Sequence, residues 1–314
     1  LIADKYLDAL IKELSPKVIL SMADSNQEIL RYAARHSETK LVLIQNAIRA
    51  SHRDCFSFPC NLTYCSLGKV EEKRQQAIGH KIIGVIPIGS LTLGAALQTI
   101  NQVPAFPRAD LGFISSFRAS SQRNDSAISV QFENMHQKLF SYTAAFAKQG
   151  KFSLRIIAKS KLVSQQILER EFFTKLAEGQ EFDFVTSLRP DGELNSYYGA
   201  LATELIITAH STLGFEILAL GRKVLFGSPM LNDYIYKLGI DDYFAHLPSI
   251  VKIETEQFTE FCTKANQLYI EDGRKFSLGI LPLARRVVSV PDNQLPQDVV
   301  RKVILETLGR STIC

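Results

Sequence analysis

His210, Ser211, Thr212, Gly214 and Glu216 fall within one short stretch, between an apolar run at 205–208 and a second strand-like run at 223–226. Ser211 or Thr212 can N-cap a helix that starts there, and the first turn of a helix offers unpaired N–H groups at the positive end of its dipole. Anions bind at such a place, and phosphate is the first candidate. Gly214, in the first turn, would let a ligand approach the backbone closely. Glu216 lies about one turn further in. A carboxylate so near a phosphate is repelled unless it reaches past it to hydroxyls or a base, which is the position of a ribose-binding Glu. The same residues also fit a plain strand–helix–strand unit whose Ser/Thr cap is structural and binds nothing.

The elements that would position these groups can be read around them. Residues 205–208 form the nearly continuous apolar run of a strand buried on both faces of a parallel sheet. Phe215, Leu218 and Ala219 make an apolar helix face, and Gly221 ends that helix as a C′ residue before the strand at 223–226. Strands and helices alternate along the whole chain, which predicts an α/β fold with two Rossmann-like parallel-sheet domains facing a cleft. Strands are expected at 17–21, 41–45, 62–66 and 82–86, with helices at 26–36, 70–78 and 91–100. After the proline-bearing stretch 103–107 come strands at 111–115, 153–158 and 182–186 and helices at 126–149 and 163–177. Following the 205–226 unit, a strand is expected at 250–253, a helix at 256–269 and a terminal helix at 296–308. A helix at 2–14 precedes the first strand, although a doubly wound domain normally begins with a strand. Either a strand is missing at the start or this sheet has one fewer.

Length and composition narrow the function classes. The 314 residues suffice for two domains of about 150 each. With 46% hydrophobic and 22% charged residues, the composition is that of a globular protein, and a net charge of +4 is too mild for a dedicated nucleic-acid binder. It would suit a phosphorylated substrate or an anionic membrane surface. No apolar run reaches the ~20 residues that span a bilayer, and no signal peptide is evident, so a cytoplasmic location is expected. Of the five cysteines, Cys55, Cys60 and Cys65 lie close together without a partnering His pair. They read as free thiols before they read as zinc ligands.

Several segments together carry a resemblance. Residues 197–226, with Ser211 to Glu216 at their core and Ala219 to Val224 downstream, are joined by Ala23 to Asn26, Leu43 to Arg49, Ile86 to Ser90 and Phe113 to Arg118. In order and spacing they resemble bacterial surface-carbohydrate biosynthesis proteins with a GT-B glycosyltransferase fold, in the layout of Kdo transferases and sialyltransferase-like enzymes. Departures are Ala47 where related sequences tend to have Gly, Lys159 where they tend to have Arg, and Arg189–Pro190 in place of a His–Pro pair.

The resemblance implies an N-terminal acceptor domain at 1–103, a nucleotide-donor domain at 104–290, and a C-terminal helix at 291–314 with the N-terminal domain as one packing partner. It implies a glycosyltransferase that moves a sugar from a CMP-, UDP- or CDP-linked donor to a surface polysaccharide or glycolipid acceptor. The donor phosphate would rest on Ser211, Thr212 and the following amides, with Lys159, Arg118 or Arg189 as the cation, His210 close by and Glu216 on the ribose. No metal or other cofactor would be required. Asp24 and His52 are the candidates for general base or nucleophile, although Asp24 could instead cap a helix and His52 could bind an acceptor anion. Nucleic acid is not an expected partner; peripheral contact with the inner face of the membrane is. A nucleotide-sugar epimerase or hydrolase, and a non-catalytic nucleotide- or glycan-binding module, are the competing readings.

Overall fold

Largely apolar runs of three to six residues flanked by polar turns become strands, and the longer stretches between them become helices. The structure, a computed structural model, describes residues 2–24, 27–36, 39–49, 62–78, 84–103, 105–118, 127–186, 194–290 and 294–309. The chain divides into two compact units, Leu1–Gly94 with Arg285–Cys314, and Ala95–Ala284.

The first unit contains α1 (Ile2–Leu14), β1 (Val18–Ser21), α2 (Gln27–Arg35), β2 (Lys40–Ile44), β3 (Leu62–Ser66), α3 (Val70–Ile78), β4 (Gly84–Pro87) and the start of α4 (Leu91–Thr99). Its four strands are parallel and lie in the order β1-β2-β3-β4. Side chains alternate across β2: Leu41 and Leu43 join one buried cluster with Leu30, Leu62 and Tyr64, whereas Val42 and Ile44 join another. The second cluster includes Val300 and Val303 of the terminal helix. Both faces of the sheet are therefore covered, as parallel strands require.

The second unit carries β5 (Ala109–Ile114), α5 (Ala127–Gly150), β6 (Leu154–Ile157), α6 (Val163–Leu176), β7 (Asp183–Val185), α7 (Asn195–Leu201), β8 (Thr203–Thr208), α8 (Thr212–Ala219) and β9 (Lys223–Phe226). Then come α9 (Asn232–Leu238), α10 (Asp241–Ala245), α11 (Phe258–Ile270) and α12 (Gly273–Val287), whose end belongs to the first unit, as does α13 (Pro296–Thr307). All five strands are parallel in the order β7-β6-β5-β8-β9. The first strand in sequence is thus the central one. The chain winds outward to β7 and returns to β8 beside β5, and this reversal opens a crevice at the carboxyl ends of β5 and β8.

Two differences from the sequence reading have physical causes. The apolar run at 250–253 forms a short 3-10 turn, Ser249–Val251, with Lys252 making a single parallel bridge to Phe226 instead of a strand. Val251 and Ile253 are fully buried, so burial alone accounts for the apolar run. Helices α7, α9, α10 and α12 were not anticipated; α12 contains Pro282, which ordinarily argues against a helix. Elsewhere Arg155 on β6 is buried, with Nε bonded to Asp183 at 2.9 Å and Nη2 to the Pro107 carbonyl at 2.8 Å. It ties the segment before β5 to the sheet.

Candidate functional site

The β8–α8 junction is built as its residues imply. Leu205, Ile206, Ile207 and Thr208 are fully buried, and the chain leaves the sheet at Ala209–His210. Ser211 is the N-cap residue of α8 in extended backbone, and its hydroxyl makes no capping hydrogen bond. The helix closes on Leu220, and Gly221 takes the left-handed conformation with φ of +77°. The N–H of Gly221 bonds to the Leu218 carbonyl and that of Arg222 to the Ile217 carbonyl, which together satisfy the last turn.

Gly214 is explained by packing. A Cβ there would lie 2.6 Å from Cγ2 of Thr208 and 3.2 Å from the Phe226 ring. The missing side chain lets α8 sit directly on β8 and β9, where Phe215 stacks on Phe226 at 4.5 Å. Packing alone is enough to require a glycine here. Glu216 is buried and accepts a hydrogen bond from the Tyr197 hydroxyl at 2.8 Å, so its carboxylate is held by α7.

Around this junction the turns after β5 and β6 converge. Ile114 of β5 is the register partner of Thr208 of β8, which sets the Ser115–Arg118 turn beside His210. Phe132 on α5 links the two: the Arg118 guanidinium lies 5.7 Å from its ring centroid and the His210 ring 5.2 Å away at a steep angle. Next to it, His136 is buried, and its Nε2 accepts the N–H of Ser116 at 2.9 Å. That bond requires a neutral imidazole carrying its proton on Nδ1. The turn after β6 is fixed by Glu169, buried on α6, whose two carboxylate oxygens accept the N–H groups of Lys159 and Ser160, each at 2.9 Å.

The resulting field is positive. Burial, then the charges of Arg118 and Lys159, push the His210 pKa down to about 4. Burial, then Lys159 and His210, push that of His136 down to about 3. Loss of hydration and the Arg118 charge lower the Lys159 pKa, against an opposing pull from Glu169. Among the described residues neither Arg118 nor Lys159 forms an ion pair. His210 itself is bonded through Nδ1 to the buried Ser228 hydroxyl at 2.7 Å, which leaves Nε2 to address a ligand. Two cations, a neutral histidine and the N-terminus of α8 thus meet at the switch point of one sheet. Such a constellation can hold a phosphate or diphosphate.

Asp24 lies in the other unit, after β1. It is buried, accepts Arg49 Nε at 3.1 Å and the Tyr64 hydroxyl at 3.1 Å, and is ion-paired through Arg49 Nη2. His52 and Arg189 lie outside the described residues, as do Cys55 and Cys60. Cys65 is buried and its thiol is pushed up to about 12 by that burial, which makes it inert. Among the described residues no group of His, Cys, Asp and Glu is arranged to hold a metal, and no helix is long and apolar enough to cross a membrane.

Residues 42–266 match the family described as "putative O-antigen biosynthesis protein". The chain belongs to this family. As an O-antigen biosynthesis family member it has a role in making surface glycan. Its fold is similar to that of a Listeria monocytogenes protein titled a putative UDP-N-acetylglucosamine 2-epimerase, with TM-score 0.61 and 12% identity over 98% of this chain and 79% of the other. UDP-GlcNAc 2-epimerase from Neisseria meningitidis, solved with UDP-GlcNAc, gives 0.56 and 11% over 96% and 80%. A glycosyltransferase from Rickettsia africae gives 0.52 and 11% over 98% and 81%. At these identities the likeness fixes the fold, two parallel α/β sheets of the GT-B class. No curated protein matches the O-antigen family chain.

Proposed function

We propose that the chain is a glycosyltransferase that takes a sugar from a nucleotide-activated donor, CMP-, UDP- or CDP-linked, and delivers it to a surface polysaccharide or glycolipid acceptor. The observation that carries this reading is the cluster of Arg118 and Lys159, neither in an ion pair among the described residues, beside His210 and the α8 N-terminus. Cations that repel one another and are only partly offset by Glu169 are stabilised when a diphosphate binds, because the anion supplies the remaining charge. In this reading Ser211, Thr212 and the first amides of α8 hold the phosphate nearest the leaving bond. Arg118 and Lys159 neutralise charge as it develops, and Glu216 accepts the ribose hydroxyls.

His210 is neutral when the site is empty. An arriving diphosphate reverses the sign of the field around it, raises its pKa and turns Nε2–H into a donor to the leaving phosphate. The acceptor and the group that activates it belong to the first unit, with Asp24 and His52 the candidates. Asp24 can act as a base only if Arg49 yields its pair, so the geometry favours a role in holding Arg49. Phosphate charge is met by protein cations and helix amides, so no metal is required.

The deciding assay incubates the protein with a panel of nucleotide sugars, with and without a glycolipid acceptor extract, and follows products by mass spectrometry. Acceptor-dependent release of the nucleotide supports the proposal. Epimerised or hydrolysed sugar without acceptor makes the protein an epimerase or hydrolase, and no turnover with intact nucleotide binding makes it a binding module.

A further inference from the structure

The amino ends of the five parallel strands of the second unit lie along the edge of the sheet opposite the His210 turn. There a cavity of about 660 Å³ opens between the starts of β5, β8 and β9 and the end of α11. The six residues of β5 separate the two edges by roughly 20 Å, at about 3.3 Å per residue. A space of that size takes a small organic molecule rather than a single ion.

The floor of the cavity is fixed from within. Asp110 accepts the N–H and the hydroxyl of Ser153 on Oδ2, at 2.8 and 2.7 Å, and the Tyr269 hydroxyl on Oδ1 at 2.8 Å. Glu204 accepts the Lys223 ammonium on Oε1 at 2.7 Å, and the same ammonium donates to the Tyr269 carbonyl at 3.0 Å. What these bonds leave over is mostly donor capacity. Arg222 spends only Nη2, on the Leu201 and Thr203 carbonyls at 3.2 Å each, so Nε and Nη1 have no partner among the described residues. Arg108, exposed at the rim, makes no hydrogen bond or ion pair with any of them. On the acceptor side, Glu204 Oε2 is unspent.

Charge and shape together define the ligand. With Lys223, which pairs with Glu204, three cations stand here against two carboxylates, so a single negative charge on a ligand restores balance. A guanidinium grips a carboxylate with two parallel N–H donors. A doubly charged phosphate would be repelled by Glu204, whose free oxygen instead accepts a hydroxyl. A sugar unit that carries a carboxylate offers both groups, an anion for the arginines and an O–H donor for Glu204.

We propose that this cavity binds an acidic saccharide unit, its carboxylate held by Arg108 and Arg222 and a ring hydroxyl donating to Glu204. The site goes beyond the donor reading and does not depend on it, since it lies at the other edge of the sheet and needs no nucleotide.

Calorimetric titration of the full chain with trigalacturonate, and with the neutral trisaccharide maltotriose, tests the assignment. Trigalacturonate is expected to bind the wild type and to keep its affinity when inorganic phosphate is present, and maltotriose to bind about tenfold more weakly or not at all. Arg108→Glu removes no contact within the described protein, and Arg222→Ala removes two bonds to carbonyls. Each should weaken trigalacturonate about tenfold or more, and an unchanged melting temperature of Arg108→Glu shows that the loss is not one of folding. Arg118→Ala with Lys159→Ala, at the opposite edge, should leave trigalacturonate binding as it is while removing the response to nucleotides, so the two sites fail separately. No binding of trigalacturonate, equal binding of maltotriose, displacement by phosphate, or binding that survives both arginine substitutions overturns the assignment. So does loss of binding in the Arg118 and Lys159 variant alone, which would put the saccharide at the donor phosphate site.

Discussion

Acidification from pH 7 to pH 5 should weaken the second unit through His136. In the folded protein burial and the neighbouring Lys159 charge hold its pKa at about 3, against an ordinary 6.5. Its folded pKa is therefore depressed, so the unfolded chain takes up a proton on falling through 6.5 while the folded one does not. Stability is lost as pH falls below 6.5, and the loss continues until the folded pKa is reached. At pH 5 the cost is roughly 2 kcal/mol from His136 alone, at about 1.4 kcal/mol for each pH step below 6.5. His210, held at about 4 and in partial contact with solvent, adds a smaller amount of the same sign. Glu260 does not confuse this window: its pKa is lowered to about 2, so its contribution fades only as pH falls below its unfolded value of 4.5. Urea unfolding at pH 7 and pH 5, followed by near-ultraviolet circular dichroism, measures the difference. His136→Gln keeps an acceptor for the Ser116 N–H but cannot titrate, and should remove about 2 kcal/mol of the pH dependence whatever it does to stability at pH 7. An equal acid loss in wild type and variant would show that His136 is not the buried neutral group described, and the geometry of the Ser115–Arg118 turn would need another cause.

Other consequences can be checked in parallel. Gly214→Ala forces a methyl against Thr208 and Phe226 and should cost about 1–3 kcal/mol by overpacking, read as a lower melting temperature; no loss would mean that α8 does not sit on β8 as closely as described. Arg155→Lys cannot reach Asp183 and the Gly199 and Pro107 carbonyls together, and should destabilise by roughly 2–3 kcal/mol in denaturant unfolding. Nucleotide binding measured by calorimetry should be unchanged by EDTA, since protein cations meet the phosphate charge; dependence on added magnesium would contradict that.

Much of the scaffold was legible because apolar runs and their period are local. The helix at 70–78 and the strands at 62–66 and 223–226 fall where the pattern puts them, and Gly221 is the left-handed C′ residue that its place after an apolar helix demanded. The run at 250–253 misled because a buried apolar segment reads alike whether or not it joins a ladder. Helix α12 stayed hidden behind Pro282. At the site, the residues next to strand ends could be found from the alternation alone; Arg118 and His210 lie against Phe132, and the Lys159 charge reaches His210. What could not be found were the groups that hold them. His136 and Glu169 sit in the middle of long helices, on faces that otherwise look like core. Their only signal was a titratable residue at an apolar position, and what makes that residue useful is a partner on a turn, 20 positions away for His136 and 9 or 10 for Glu169, which periodicity does not report. Gly214 has a packing cause that the sequence did not report, since a Cβ there would meet Thr208.

The central claim is that Arg118, Lys159 and the α8 N-terminus form a nucleotide phosphate site. The most direct measurement is thermal unfolding with CMP, CDP, UDP and GDP, for the wild type, for Arg118→Ala with Lys159→Ala, and for Lys138→Ala, whose exposed pair with Glu256 lies on α5 away from the turn. One nucleotide should raise the wild-type and Lys138→Ala melting temperatures, by about 2.7 kcal/mol of added stability at a hundredfold excess over Kd, and leave the double variant unmoved. No response to any nucleotide, or a response that survives loss of both cations, would contradict the account.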